Sequence, residues 1–356
     1  MTRYQLTRFS PAQPAAISSL SVSYDGQFTA SGGSSGIFAI YRNPSLQPVH
    51  IHDPISSPAA AITAIAWSDM SRGVLFLGDT LSRIHVVHLD LVQNAATVKI
   101  FQVEHLNIST IFSLDVHGGT IAIATPSTRH ALMPPGRSPV YASLLPPFTL
   151  QFKDKSVLLI AYVGYGLVAW DTEEGTTIWT LPFGPDDILH ASLHPNGSSL
   201  IATLSSSRVA WFTIPDHSFM PQAVRVHTTS PKRKDTFAMY INDGNAAVLA
   251  GQASDTLRIV STIPQEGVRV IQKLKHRNAR NEVKDISAVA VGCNRYRRYI
   301  VTALSPNGNM PATIILWYEK TLLVEYTERA FLYTARAFLL LMFLSVYAWI
   351  ILGSSS

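Results

Sequence analysis

The sequence predicts an all-β protein, a seven-bladed β-propeller followed by a single C-terminal transmembrane α-helix. Three observations point there. Short runs of strand-forming residues recur along residues 3–318, separated by Gly, Asn, Asp and Ser turns near 25, 69, 117, 154, 196, 243 and 294. A spacing of about 40–45 residues with several short strands per unit is how propellers are written in sequence. The 356-residue chain is 47% hydrophobic but only 14% charged, the opposite of the balance that disorder requires. Finally, residues 337–352 contain no charged side chain at all.

Each repeat supplies an alternating apolar strand, a turn, a second apolar strand, a polar hairpin and a third strand. The first repeat covers 17–33 and 37–41, with Asp25-Gly26 at its turn. The second covers 62–69, 77–78 and 84–89. A weaker third runs through 111–116, 121–124 and Val140-Tyr141. The fourth takes 148–153, 157–162 and 167–171, and the fifth 188–197, 200–203 and 209–211. The sixth uses 236–241, 247–250 and 257–260, and the seventh 286–291, 299–302 and 313–317. Ala, Ser, Thr and Val dominate these runs, as expected of strands whose two faces both pack on neighbouring sheets. The seventh repeat runs out of chain before an outer strand. Residues 3–9 are expected to supply it and close the ring, which removes exposed sheet edges.

These residues resemble the WD40 family. Ser23-Tyr24-Asp25-Gly26 with Ala30-Ser31-Gly32 stands where that family has its serine, acidic and glycine turn, and Ala169-Trp170-Asp171 matches its closing Trp-Asp pair. Only one repeat ends this way, and none begins with the family's Gly-His pair. The resemblance implies a non-catalytic scaffold that binds unidentified protein partners on rigid rims. The layout of propeller then helix is also similar to that of membrane-tethered WD40-type exchange factors. That analogy of layout implies, as an alternative, a regulator of a small GTPase at the endoplasmic reticulum.

Residues 331–352 form a 22-residue segment interrupted only by Arg336. As a helix it spans about 33 Å, matching a hydrocarbon core of about 30 Å. Arg336 lies near one end, where its stem reaches the headgroups, and Tyr333, Tyr347 and Trp349 sit where interfacial aromatics belong. Lys320, Arg329 and Arg336 flank its N-terminal side, while residues 353–356 carry no charge. The positive-inside bias then places the propeller in the cytosol. The expected division is a propeller over 1–320, a juxtamembrane linker over 321–330, the helix over 331–352 and a tail over 353–356. This is the layout of a tail-anchored, single-pass protein of the endoplasmic reticulum or another endomembrane. The first twenty residues carry Arg3 and Arg8 and no acid, a transit-like composition that competes with an ordinary first strand.

Candidate chemistry is sparse. The single cysteine, Cys293, excludes an internal disulfide and any multi-thiolate metal site. Gly32-Gly33-Ser34-Ser35-Gly36 matches the nucleophile-elbow pattern, but that elbow must join a strand to a helix, and a strand is expected after it. The pairs His50/His52, His85/His88 and His190/His194 fall on expected strands, where the last two spacings do not converge on a metal. Asp186-Asp187 and Glu173-Glu174 are adjacent loop acids without acid–base partners. No catalytic, cofactor or metal site is therefore expected.

One charge asymmetry stands out. Residues 231–300 hold 13 Lys/Arg against 6 Asp/Glu, while the rest of the chain is slightly acidic. The surplus lies in Lys232, Arg233, Lys234, Lys273, Lys275, Arg277, Arg280, Arg295, Arg297 and Arg298. These are expected to form a basic patch for an anionic membrane surface or a partner. Tyr296 alone gives too little aromatic interleaving for nucleic acid.

Overall fold

The computed structural model describes residues 3–320, apart from 12–14, 54–59, 94, 103–109, 126–146, 183–185, 207, 215–221, 229–234, 242–245, 252–255, 263–268, 277–284, 294–296 and 307–310. The predicted helix over 331–352, with Arg329, Arg336 and Trp349, lies outside the described residues. Among the described residues no helix is long and apolar enough to cross a membrane.

Among the described residues all regular structure is strand. β1 (Arg3–Pro11) belongs to the last sheet. The first blade then takes β2 (Ile17–Val22), β3 (Phe28–Gly33), β4 (Phe38–Arg42) and β5 (Gln47–His52). The second takes β6 (Ile62–Trp67), β7 (Val74–Asp79), β8 (Arg83–Asp90) and β9 (Ala95–Gln102). A pair follows, β10 (Ser113–His117) and β11 (Thr120–Ala124). The next blade contains β12 (Pro147–Phe152), β13 (Val157–Tyr162), β14 (Gly166–Asp171) and β15 (Thr176–Leu181). After it come β16 (Ile188–Leu193), β17 (Ser199–Leu204), β18 (Arg208–Thr213) and β19 (Gln222–Thr228). Then come β20 (Asp235–Ile241), β21 (Ala246–Gly251), β22 (Thr256–Ser261) and β23 (Val270–Lys275). The last blade is β24 (Ile286–Cys293), β25 (Arg298–Leu304) and β26 (Thr313–Lys320).

The expectation of seven blades is corrected here. Among the described residues six sheets have four strands, and β10–β11 forms a sheet of two. Among the described residues the third repeat therefore supplies a reduced sheet of two strands; its expected third strand, Val140-Tyr141, falls outside them. β10 packs on β6 on one side and on β12 on the other, so the reduced sheet still fills its place in the ring. β1 pairs antiparallel with β26, from Arg3 opposite Lys320 to Pro11 opposite Thr313, and makes the last blade four-stranded.

The core lies between blades. The second strands are almost entirely buried, as in β3 and β13, whereas the outer β9 is largely exposed. The six complete blades share one irregularity. Pairing of their two innermost strands slips by one residue at the same place, for example between Ile17 and Ser19, Ile62 and Ala64, and Ile286 and Ala288. Each slip is a β-bulge, which bends the inner strand and increases its twist. Beside it, a small residue on the second strand receives an isoleucine from the next blade. A Cβ at Gly32 would lie 2.4 Å from Ile62 Cγ2, and one at Gly78 would lie 2.5 Å from Ile111 Cγ2. Ala161 with Ile188, Ala250 with Ile286 and Ala303 with Ile17 share clusters in the same way. The last of these pairs joins the final blade to the first.

Candidate functional site

The inner strands surround an axial cavity of about 300 Å³, lined among others by Ser18, Thr63, Ser113, Thr149, His190 and Phe237. Its polar atoms are mostly committed to holding blades together. Ser18 Oγ donates to Ile62 O at 2.5 Å, and Thr63 Oγ1 donates to Ile111 O at 2.5 Å. His190 Nδ1 lies 3.0 Å from Ala238 O on the adjacent inner strand. Burial pushes its pKa down to about 4 against the weaker pull of that carbonyl, so at neutral pH the ring is uncharged and Nδ1–H donates.

Other described histidines make packing and hydrogen-bond contacts. His50 and His52 pack on the Phe38 ring, with centroids 5.8 and 4.9 Å away. His85 Nε2 lies 3.0 Å from Asp79 Oδ2, while His88, three residues on, is exposed. His194 packs edge-on against Tyr240. Among the described residues no three His, Cys, Asp or Glu side chains are placed to hold a metal.

Asp79 is fully buried and organises the β7–β8 turn. It accepts from Leu81 N at 2.8 Å, Arg83 N at 3.0 Å and Arg83 Nε at 2.6 Å. Burial alone would raise its pKa. The hydrogen bonds from His85, Arg83 and Leu81 outweigh it and hold the carboxyl below its ordinary value.

The glycine-rich elbow candidate is a hairpin turn between β3 and β4. Gly36 N donates to Gly33 O at 3.1 Å and Gly33 N to Ile37 O at 3.0 Å. Strand β4 begins at Phe38, two residues after Gly36, where an elbow would need a helix.

Of the ten predicted basic residues, four lie among the described ones. Lys232, Arg233, Lys234, Arg277, Arg280 and Arg295 lie outside the described residues. Lys273 and Lys275 are exposed on the outer strand β23. Arg298 instead pairs with the buried Glu319, 3.1 Å from each of its carboxylate oxygens. Arg297 sits over the Tyr318 ring, 5.1 Å from its centroid. Both belong to the end of the last blade where Cys293 pairs with Arg298, opposite the end where Ile286 pairs with Leu304.

That same end of the ring carries side chains that sequence reasoning passed over. Gly292 packs on Val22, and Trp67 Nε1 donates to Ser21 O, so the C-terminal ends of β24, β2 and β6 lie on one face. On this face Tyr24 is 59% exposed, Met70 71%, and Val92 92%, with Leu91 beside Gly73. Periodicity could not find them, because they sit in turns rather than on strands. Only an apolar residue inside a polar turn gave a signal.

Across the face, polar side chains tie down the reduced sheet. Asp69 Oδ2 lies 3.1 Å from His117 Nδ1 and accepts from Gly118 N at 2.9 Å. The Tyr24 hydroxyl donates to Val116 O at 3.3 Å. Asp115 accepts from Phe152 N at 2.6 Å. Burial raises its pKa to about 6, although the N–H groups of Phe152 and Val116 pull the other way.

Closed rings of such sheets define the class: the chain has a WD40-like β-propeller fold. It is similar to the β-propeller domain of Cps50 (Swd1) from Myceliophteria thermophila, with a TM-score of 0.68 at 12% identity, over 88% of this chain and 99% of that one. At this identity the likeness concerns the fold alone. No protein-family model matches the sequence, and no curated protein does.

Proposed function

We propose that this protein is a membrane-tethered, non-catalytic propeller that docks protein partners on the cytosolic side of an endomembrane. The observation that carries the scaffold reading is the closed ring itself. Rigid sheets hold exposed loop residues such as Phe112 and Tyr165 in fixed relation, which is how recognition loops are usually presented. The polar groups of the axial cavity are spent on inter-blade bonds rather than arranged around a reacting atom. The tether reading rests on the 22-residue apolar segment and its basic flank.

Proximity labelling with the intact chain, compared with a chain ending at Arg329, tests both parts. A partner set that depends on the segment is expected, together with retention of the intact chain in membranes after alkaline carbonate extraction. Release into the soluble fraction overturns the tether. A nucleotide-exchange assay against small GTPases addresses the alternative, and stimulated exchange would replace the scaffold reading with a regulatory one.

A further inference from the structure

We infer that the face bearing Tyr24, Met70, Leu91 and Val92 is the one the propeller turns toward the bilayer, with these side chains in contact with the lipid surface. The inference rests on the tether proposed above and adds an orientation to it.

The first support is where the chain leaves the ring. Lys320 ends β26 opposite Arg3, two residues beyond Tyr318, which pairs with Tyr299. Arg298 and Cys293 mark this same end of the blade. The chain therefore departs from the face that carries the exposed turns. Ten residues, 321–330, separate Lys320 from the apolar segment, and fully extended they reach at most about 40 Å. To present the opposite face, the linker would have to double back along strands of seven and eight residues, or about 23–27 Å. Facing the bilayer with the exit side needs no such detour.

The second support is what that face offers. Met70 and Val92 are the most exposed of the large apolar side chains. Both lie on the second blade, two places round the ring from the exit, because β24 packs on β2 and β2 on β6. Arg72 stands among them, 71% exposed and 4.0 Å from Asp25. Apolar tips at turn ends suit the headgroup boundary of a bilayer. Acids stand all round this face, Asp25, Asp69 and Asp90 near these side chains and Asp171, Glu173 and Glu174 on the β14–β15 turn, so the sector is chosen by its apolar tips and its place beside the exit.

The test uses the full chain in vesicles of phosphatidylcholine and phosphatidylserine, on a Cys293→Ser background. Polarity-sensitive fluorophores are placed singly at Met70→Cys, Val92→Cys, Tyr165→Cys on the opposite face, and Glu174→Cys. With a quencher attached to the lipid headgroups, several-fold stronger quenching is expected at 70 and 92 than at 165 or 174. Equal quenching at 165 or 174 overturns the orientation. Vesicle flotation is read on the same samples. A chain that fails to float overturns the tether and this inference with it, whereas one that floats with uniform quenching overturns the orientation alone. Val92→Glu in the Met70→Cys chain should leave flotation unchanged and lose most of the contrast.

Discussion

Two half-buried titratable groups act against each other. Asp115 has its folded pKa raised to about 6 by burial, above the unfolded value of about 3.9. Its contribution is present below pH about 4 and is lost as pH rises through 6. His190 has its folded pKa lowered to about 4 by burial, below about 6.5 unfolded, so its contribution is present at neutral pH and lost as pH falls. Across about pH 4–6.5 the two slopes nearly cancel. Urea midpoints of the native chain should therefore change little over this range. Asp115→Asn should give stability that rises with pH, and it should gain up to about 2 kcal/mol at pH 7. His190→Gln should show the reverse slope. The glycine sockets make a second residue-scale prediction. Gly32→Ala brings a Cβ within 2.4 Å of Ile62 Cγ2 and should cost about 1–3 kcal/mol. Pairing it with Ile62→Ala should cost less than the sum of the two changes, measurable by a denaturation cycle.

At the scale of elements, the reduced sheet is the least-paired part of the described ring. Among the described residues, two five-residue strands give β10–β11 one inter-strand ladder where the other sheets have three, and side chains from neighbouring blades add contacts to it. Hydrogen exchange should be faster over 113–124 than over β13, β17 or β21, because local opening follows the density of buried contacts. Asp69→Ala removes the bonds to His117 and Gly118 and should accelerate exchange there while leaving β17 unchanged. The sequence showed this sheet only as an irregular repeat. The first three strands of the other repeats were legible because they alternate or are wholly apolar; the predicted 157–162 and β13 coincide. The outer strands were not. Strands such as β9 expose most side chains and carry little apolar pattern, so only their hydrogen bonds to the third strand reveal them.

For the molecule as a whole, the joint between chain ends matters most. β1 covers the edge of β26 and is also held by Gln272 of the preceding blade, which accepts from Tyr4 N and donates to Tyr4 O, both at 2.8 Å. A chain lacking residues 1–11 bares that edge, and an uncovered edge invites pairing with another copy. Light scattering should show self-association absent from the intact chain; a stable monomer would mean that the edge is protected in some other way.

The amino-acid sequence by itself determined the class of fold, because strand length, turn chemistry and period are local properties. Asp25-Gly26 and Asn196-Gly197 are read directly: each glycine has positive φ, and the Asp25 and Asn196 side chains each accept from the backbone two residues on. It also set the charge imbalance and the apolar segment. Only the tertiary structure decided that β10 and β11 pair between β6 and β12 and that Arg298 is spent on Glu319. It alone revealed that Tyr24, Met70 and Val92, far apart in sequence or hidden in turns, share the face from which the chain departs. Which residues share a face depends on how blades stack round a ring, a long-range property that no local pattern encodes.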